Sequence, residues 1–261
     1  MIYNDFRFMC RGKQLLALKE DDFSLLKPIN QRGTKKDRAL LLFHGFTSSP
    51  AVYRYLIPQL KNYDAVVCPA LPGHADSIAA FSKAKKNDWV SHAHQECELL
   101  FKEYQKIDVL GVSLGALLAC KLSLNYSFNH MFLLAPALKL QMNINRNIKL
   151  ITLLKSLGFC ELRGMAGNLV SDNHTEISYR RVPLSALLEL FALIQEHQWI
   201  PPNCPVDLFL GKHDIVVASQ EVEKMFANLP NTTIHWLANS AHVLPLDNDL
   251  EQIVRCVNQC T

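Results

Sequence analysis

Gly111-Val112-Ser113-Leu114-Gly115 places a serine between two glycines, at the junction of an apolar run at 106–110 and a small-residue segment at 116–122. The run reads as a buried strand and the segment as a helix. A serine on a sharp strand-to-helix turn projects its hydroxyl clear of the backbone, and the glycines let neighbouring backbone pass close by. A serine hydroxyl is inert on its own. The pattern therefore requires a base, an acid to orient that base, and N–H donors for a developing oxyanion elsewhere in the chain. The same five residues also make an ordinary tight turn, so the partners decide between the two readings.

Of ten histidines, His242 is the candidate base. It lies in Ser240-Ala241-His242-Val243-Leu244, the loop after the last expected strand, and loops at the C-terminal ends of parallel strands converge on one sheet edge. Asp214, in Gly211-Lys212-His213-Asp214, is the candidate acid. Asp207 is the weaker choice because it falls inside the strand rather than at its exit. Asp214 would hold His242 in the useful tautomer and stabilise the imidazolium. The oxyanion donors expected are the backbone N–H groups of Leu114 and Phe46, a single such donor being worth roughly 10²–10³ in turnover. Gly45 lets the backbone turn toward the site, and His44 is expected to brace that loop by hydrogen bonding. His92, His94 and Cys97 share a helix, but positions i and i+2 lie on different sides of it, so no metal is expected there. The chemistry requires no organic cofactor.

The elements that position these residues follow from hydrophobic periodicity. Short apolar runs at 39–43, 64–68, 106–110 and 130–134 read as strands covered on both faces. Helices are expected from the Thr47-Ser48-Ser49-Pro50 turn to about Leu60, and at 87–104 with Asn87 or Asp88 as its cap. This alternation predicts an α/β fold, a mostly parallel sheet with helices on both faces. The rhythm breaks at 138–203, where Ile144, Ile148, Ile151 and Leu154, then Leu184, Leu187, Leu188, Phe191 and Ile194, recur at helical spacing without a strand between them. That segment is expected to be an inserted helical cap. Its residues Ile148, Ile151, Leu154, Leu187, Leu188 and Phe191 are candidates to line an acyl pocket, or equally to pack against the core. Strands resume at 205–210 and 232–237, with helices near 218–228 and 247–256. Residues 1–37 read either as one or two edge strands or as a helix plus a loop. The whole is one domain, its core at 38–137 and 204–261.

Composition fits a globular protein with ample core: 261 residues, 49% hydrophobic, 20% charged. A net charge of +3 without an aromatic-laced basic tract argues against nucleic acid. Eight cysteines without a Cys-x-x-Cys pair suggest reduced thiols and a cytoplasmic setting. The N-terminus is charged early, at Asp5, Arg7, Arg11 and Lys13, and has no apolar core of signal-peptide length, so no signal peptide is expected, and no apolar stretch approaches the roughly 18 residues of a membrane span. Peripheral membrane association, or an anchor upstream of Met1, stays compatible with these readings. Oligomeric state is not encoded in any feature of the sequence.

Several segments occur together in order: Leu42-Phe43-His44-Gly45-Phe46-Thr47, Leu71-Pro72-Gly73-His74, Asp88-Trp89, the Ser113 pentapeptide, Ala135-Pro136, Gly211-Lys212-His213-Asp214, Ser240-Ala241-His242 and Leu246-Asp247. From Ala39 onward the chain thus resembles α/β-hydrolases, the small bacterial carboxylesterases and monoacylglycerol lipases in particular. The resemblance implies that Ser113, Asp214 and His242 are catalytic, that the N–H groups of Phe46 and Leu114 form the oxyanion hole, and that a helical cap covers the site. Ala116 departs from the pattern, where a second glycine is common, and residues 1–37 do not align. The expected activity is cleavage of short to medium acyl esters or monoacylglycerols through an acyl-enzyme on Ser113. An acyl thioesterase or lysophospholipase would use the same residues. Serine rather than aspartate at the elbow argues against epoxide or haloalkane opening, and a complete triad argues against a noncatalytic binding scaffold.

Overall fold

The computed structural model of the chain describes residues 4–260. The chain opens with a hairpin, β1 (Phe6–Cys10) and β2 (Lys13–Ala17), and reaches β3 (Ile29–Arg32) through a 3-10 turn at Glu20–Leu26. Strands β4 (Arg38–Phe43), β5 (Ala65–Cys68), β6 (Lys106–Val112) and β7 (His130–Leu134) follow. Helices α1 (Ile78–Lys83) and α2 (Lys86–Glu103) lie between β5 and β6, and α3 (Leu114–Leu122) lies between β6 and β7. The insertion holds α4 (Ile144–Ser156), β8 (Glu161–Arg163), β9 (Glu176–Tyr179), β10 (Arg181–Pro183) and α5 (Leu184–Glu196). The chain then adds β11 (Val206–Gly211), α6 (Ser219–Phe226), β12 (Thr232–Leu237) and α7 (Leu250–Gln259).

Seven strands form the central sheet in the order β12-β11-β7-β6-β4-β5-β3, parallel except for β3, which runs antiparallel to β5. The continuous apolar runs are interleaved faces: Ala39, Leu41 and Phe43 of β4 enter one core, Leu40 and Leu42 the other. The first core takes α2, α3 and α6, and the second takes α7. In α7, Leu250, Ile253, Val254 and Val257 are buried at i, i+3, i+4 and i+7, one stripe of an amphipathic helix. Burial of each such side chain stabilises the fold by about 1.5–3 kcal/mol relative to exposure. Because the strands are parallel, the loops after β4, β6, β11 and β12 meet on one edge.

Three expectations need correction. The helix expected to end near Leu60 is instead two 3-10 turns, Pro50–Tyr53 and Ile57–Gln59. Pro58 cannot donate the amide that a helix running on from Pro50 would need for the Arg54 carbonyl. Helix α2 starts at Lys86, and neither Asn87 nor Asp88 is its cap; Asp88 reaches back to accept the Lys85 N–H at 2.8 Å. The insertion contains its helices, but also three strands that the periodicity did not reveal. β9 pairs antiparallel with β1, in register Phe6↔Tyr179 and Phe8↔Ile177, to form the sheet β2-β1-β9. β10 pairs with β8. Runs of three or four residues carry too little alternation to read, and the partner of β9 lies in the N-terminal segment. That segment is therefore a hairpin supporting the insertion plus the edge strand β3; its first three residues lie outside the described ones. The eight cysteines are all free, and no helix among the described residues is long and apolar enough to cross a membrane.

Candidate active site

Strand β6 delivers Ser113 to the sheet edge in a conformation that side chains rarely adopt, φ 56° and ψ −113°. The backbone is held there from both sides: Ser113 N–H donates to Leu134 O at 2.9 Å, and Ser113 O accepts from Leu117 and Ala137. The glycines are required by contact. A Cβ on Gly115 would lie 1.9 Å from Phe43 O, and one on Gly111 would lie 2.4 Å from the Gly115 backbone. Only with both absent does the turn close tightly enough to start α3 directly after the serine.

Asp214 follows β11, and both its oxygens are engaged. Oδ1 accepts the N–H groups of Val216 at 2.7 Å and Val217 at 2.9 Å; Oδ2 accepts from His242 Nδ1 at 2.8 Å. Since Asp214 is the acceptor, the imidazole carries its proton on Nδ1 and presents Nε2 as a lone pair. The two loops touch backbone to backbone, for a Cβ on Gly211 would lie 1.9 Å from Ala241 O. Asp207, the weaker sequence candidate, instead lies between His130 and His235.

Ser113 and His242 line one cavity of about 320 Å³. The Ser113 hydroxyl makes no hydrogen bond among the described residues; nucleophile–base contacts often tighten only around substrate. Gly45 faces the serine, a Cβ there lying 3.5 Å from Ser113 Cβ. The Phe46 ring packs against Phe81 and Trp89, with centroids 5.1 Å and 6.1 Å away. His44 is fully buried and joins two loops: Nε2 accepts the Leu71 N–H at 3.0 Å, so Nδ1 donates to Gly45 O at 2.9 Å. Burial pushes its pKa down to about 4, against the Gly45 hydrogen bond, so it braces the loop as a neutral ring.

Of the six apolar candidates in the insertion, Leu187 and Phe191 line the cavity. Ile148, Ile151, Leu154 and Leu188 do not; they pack into a small core between α4 and α5. The lining comes instead from elements that periodicity missed or left as links, including Leu162 of β8, Met165 and Val182 of β10. Arg163 of β8 also stands at the cavity wall. His92, His94 and Cys97 do not converge: His92 faces Glu96 at 4.0 Å, His94 faces the Tyr126 hydroxyl, and Cys97 is buried. A wider groove of about 660 Å³ along α6 touches Asp214 from behind but contains neither Ser113 nor His242.

Three supporting residues carried no recognisable sequence signal of their role. Asn168 O accepts the N–H groups of both His242 and Val243 at 3.1 Å, while its Oδ1 accepts the Ile215 N–H at 3.2 Å. It thereby ties the Asp214 loop to the His242 loop. Asp247 accepts from Ala241, Val170 and Ser171. Glu176 of β9 is 6% exposed, lines the cavity and accepts the Gly167 N–H at 2.7 Å.

Burial works against charging His242, but the charge and hydrogen bond of Asp214, with the charge of Glu176 added, outweigh it and raise its pKa above the ordinary value. A neutral base is needed for proton abstraction. The rising limb of kcat/KM against pH is therefore expected above the ordinary imidazole pKa of about 6.5. Glu176→Gln keeps the acceptor for Gly167 but removes one raising charge, and should move that limb to lower pH. A limb that stays put in this variant would break the electrostatic link.

Residues 40–255 match the sequence family described as the Alpha/beta hydrolase family. The chain belongs to that family, and its fold is the α/β-hydrolase fold. Solved structures of similar fold include one of the metagenome-derived lipolytic enzymes LipS and LipT, 23% identical with a TM-score of 0.80, covering 88% of this chain and 95% of that one. A monoacylglycerol lipase of Paleococcus ferrophilus is 16% identical with a TM-score of 0.68, covering 90% of this chain and 100% of that one. Est1E of Butyrivibrio proteoclasticus, solved with ferulic acid bound, is 16% identical with a TM-score of 0.62, covering 89% and 92%.

Proposed function

We propose that the chain hydrolyses carboxylic esters of short to medium acyl chains, monoacylglycerols among them, through an acyl-enzyme on Ser113. The observation that carries this reading is the Asp214–His242 hydrogen bond, which leaves Nε2 proton-free in the same apolar cavity as a serine on a strained elbow. Ser113 Oγ attacks the acyl carbonyl and His242 Nε2 takes its proton. The N–H groups of Phe46 and Leu114 hold the oxyanion. The tetrahedral intermediate collapses, the C–O bond to the alcohol breaks, and His242 returns the proton to the departing alkoxide. Water then attacks the acyl-enzyme with its proton going to His242, and the acid leaves as Ser113 regains that proton.

The cavity sits at the small end of the roughly 300–1,000 Å³ range of ligand pockets, which favours short and medium acyl chains over long ones. Each methylene buried contributes about 0.8 kcal/mol, so kcat/KM for p-nitrophenyl esters should rise about fourfold per added carbon and then level or fall once the cavity is full. A rise continuing to palmitate would refute the size argument. Turnover confined to acyl-CoA would turn the reading to a thioesterase.

Labelling with a fluorophosphonate, followed by mass mapping, tests the mechanism. Modification at Ser113 alone supports it. Failure to label, or labelling elsewhere with Ser113 free, overturns it.

A further inference from the structure

On the edge of the sheet opposite the catalytic loops, a second group of chemically capable side chains has no part in ester cleavage. His130 opens β7, Asp207 is the second residue of β11, and His235 lies on β12, three neighbouring strands. Side-chain alternation sends all three to the face that carries Phe132, Phe209 and Leu237, the core covered by α7. His130 Nε2 stands 2.7 Å from Asp207 Oδ2, and His235 Nε2 stands 2.5 Å from Asp207 Oδ1. Each imidazole lies nearly flat on an aromatic ring: His130 on Phe132 at 4.5 Å and 20°, His235 on Phe209 at 4.6 Å and 14°. The stacking orients both rings so that their Nε2 atoms converge on one carboxylate. Cys260, just past α7, brings Sγ to 3.8 Å from His130 Nε2 and 4.0 Å from Asp207 Oδ2. One donor atom each from His130, Asp207 and Cys260 falls within 4.8 Å of the others.

We propose that His130, Asp207 and Cys260 bind a zinc ion, with His235 orienting Asp207. The donors are one imidazole nitrogen, one carboxylate oxygen and one thiolate. That mixed set suits zinc, whereas calcium and magnesium take oxygen ligands in larger number. With Zn–N near 2.0–2.1 Å and Zn–S near 2.3 Å, a tetrahedral centre holds nitrogen and sulfur about 3.5 Å apart. The His130–Cys260 separation of 3.8 Å needs only a small adjustment to reach that value. The carboxylate is divided between roles, for His235 holds Oδ1 as partners of ligating carboxylates do, while at Oδ2 the ion would take the place of the direct His130 contact. Water completes the tetrahedron.

Binding displaces the Cys260 thiol proton to solvent and places the His130 proton on Nδ1, so that Nε2 donates its lone pair to the metal. The His130 and Asp207 side chains are 14% and 13% exposed, open enough for an ion and its water to enter. The site would pin the segment after α7 to the sheet, beside a hydrogen bond that Arg38 already donates to Cys260 O. None of this depends on the esterase reading, because no residue of the cluster belongs to the catalytic edge.

The test uses the full chain, free of any affinity tag and stripped by chelator. Calorimetric titration with Zn²⁺ should show one equivalent bound per chain, with a raised Tm. Co²⁺ in place of zinc should give a near-ultraviolet thiolate-to-cobalt band. Cys260→Ser should abolish that band and the tight zinc equivalent, while ester turnover and fluorophosphonate labelling of Ser113 stay at the wild-type level. His235→Gln should keep the band and weaken zinc binding by about 10–100-fold. Absence of saturable zinc binding in the wild-type chain, or a Cys260→Ser variant with unchanged affinity and spectrum, overturns the proposal.

Discussion

Ser113→Ala should lower kcat/KM for a short p-nitrophenyl ester by roughly 10⁶, because a nucleophile and its base act as one unit and removing either removes both. What remains, roughly 10³–10⁴ over water, is the contribution of the oxyanion donors and of binding. The fold should survive. The Ser113 hydroxyl makes no hydrogen bond among the described residues, and its backbone partners Leu134, Leu117 and Ala137 are independent of the side chain. The strain at φ 56° is the same for alanine, which keeps the Cβ. Tm should therefore stay within the small range of substitutions that leave packing intact. The comparison separates two ideas: a variant with wild-type Tm and near wild-type turnover removes Ser113 from the chemistry, whereas lost turnover with a lowered Tm shows only that the elbow was damaged. In the proposed mechanism Phe46 and Leu114 act through backbone N–H groups, so side-chain truncation at Ser113 leaves those donors in place and isolates the nucleophile.

The site was more legible in the sequence than the surroundings that give it selectivity. Ser113, Asp214 and His242 each sit one short step past an apolar run, and parallel strands force such positions onto one edge, so position and chain order pointed to the aspartate and histidine that the structure joins by a hydrogen bond. The seven-stranded sheet was legible for the same reason, except for β3, whose polar Asn30, Gln31 and Arg32 leave no apolar run to recognise. The cavity wall was not legible. Helical spacing correctly located α4 and α5, but Ile148, Ile151 and Leu154 recur at that spacing because α4 packs on α5, a requirement indistinguishable in one dimension from lining a pocket. The residues that do line it on β8 and β10 belong to strands of three residues whose pairing is with each other. Asn168 carries no signal because it accepts backbone N–H groups, which leave no trace in residue type; Asp247 stands in the Leu246-Asp247 motif, but its hold on the Ala241, Val170 and Ser171 N–H groups does not show there for the same reason. Glu176 escaped because its burial depends on the pairing of β9 with β1, far away in the chain.

Asp214→Asn should cost about 10⁴ in kcat, as loss of the correct tautomer does in serine triads generally, with little change in fold. The reason lies in what else the carboxylate holds. Val216 and Val217 both aim N–H groups at Oδ1. An asparagine must meet those two donors with its carbonyl oxygen, since turning its NH₂ toward them would set donors against donors and leave them unpaired. The NH₂ is thereby forced toward His242. Facing a donor, the imidazole Nδ1 must become the acceptor, and the ring proton moves to Nε2, the nitrogen that has to receive the proton of Ser113. The base is then blocked at neutral pH although every heavy atom stays where it was. The same substitution removes the largest raising charge on His242, so its pKa should fall while kcat falls, the opposite of what would follow if the fraction of neutral imidazole alone set the rate. Asp214→Ala makes the contrast, for it frees the ring to choose its tautomer but leaves the Val216 and Val217 donors unpaired, and should cost stability where the asparagine does not. An asparagine variant within tenfold of wild-type turnover would mean that the 2.8 Å hydrogen bond to His242 orients nothing that the reaction uses.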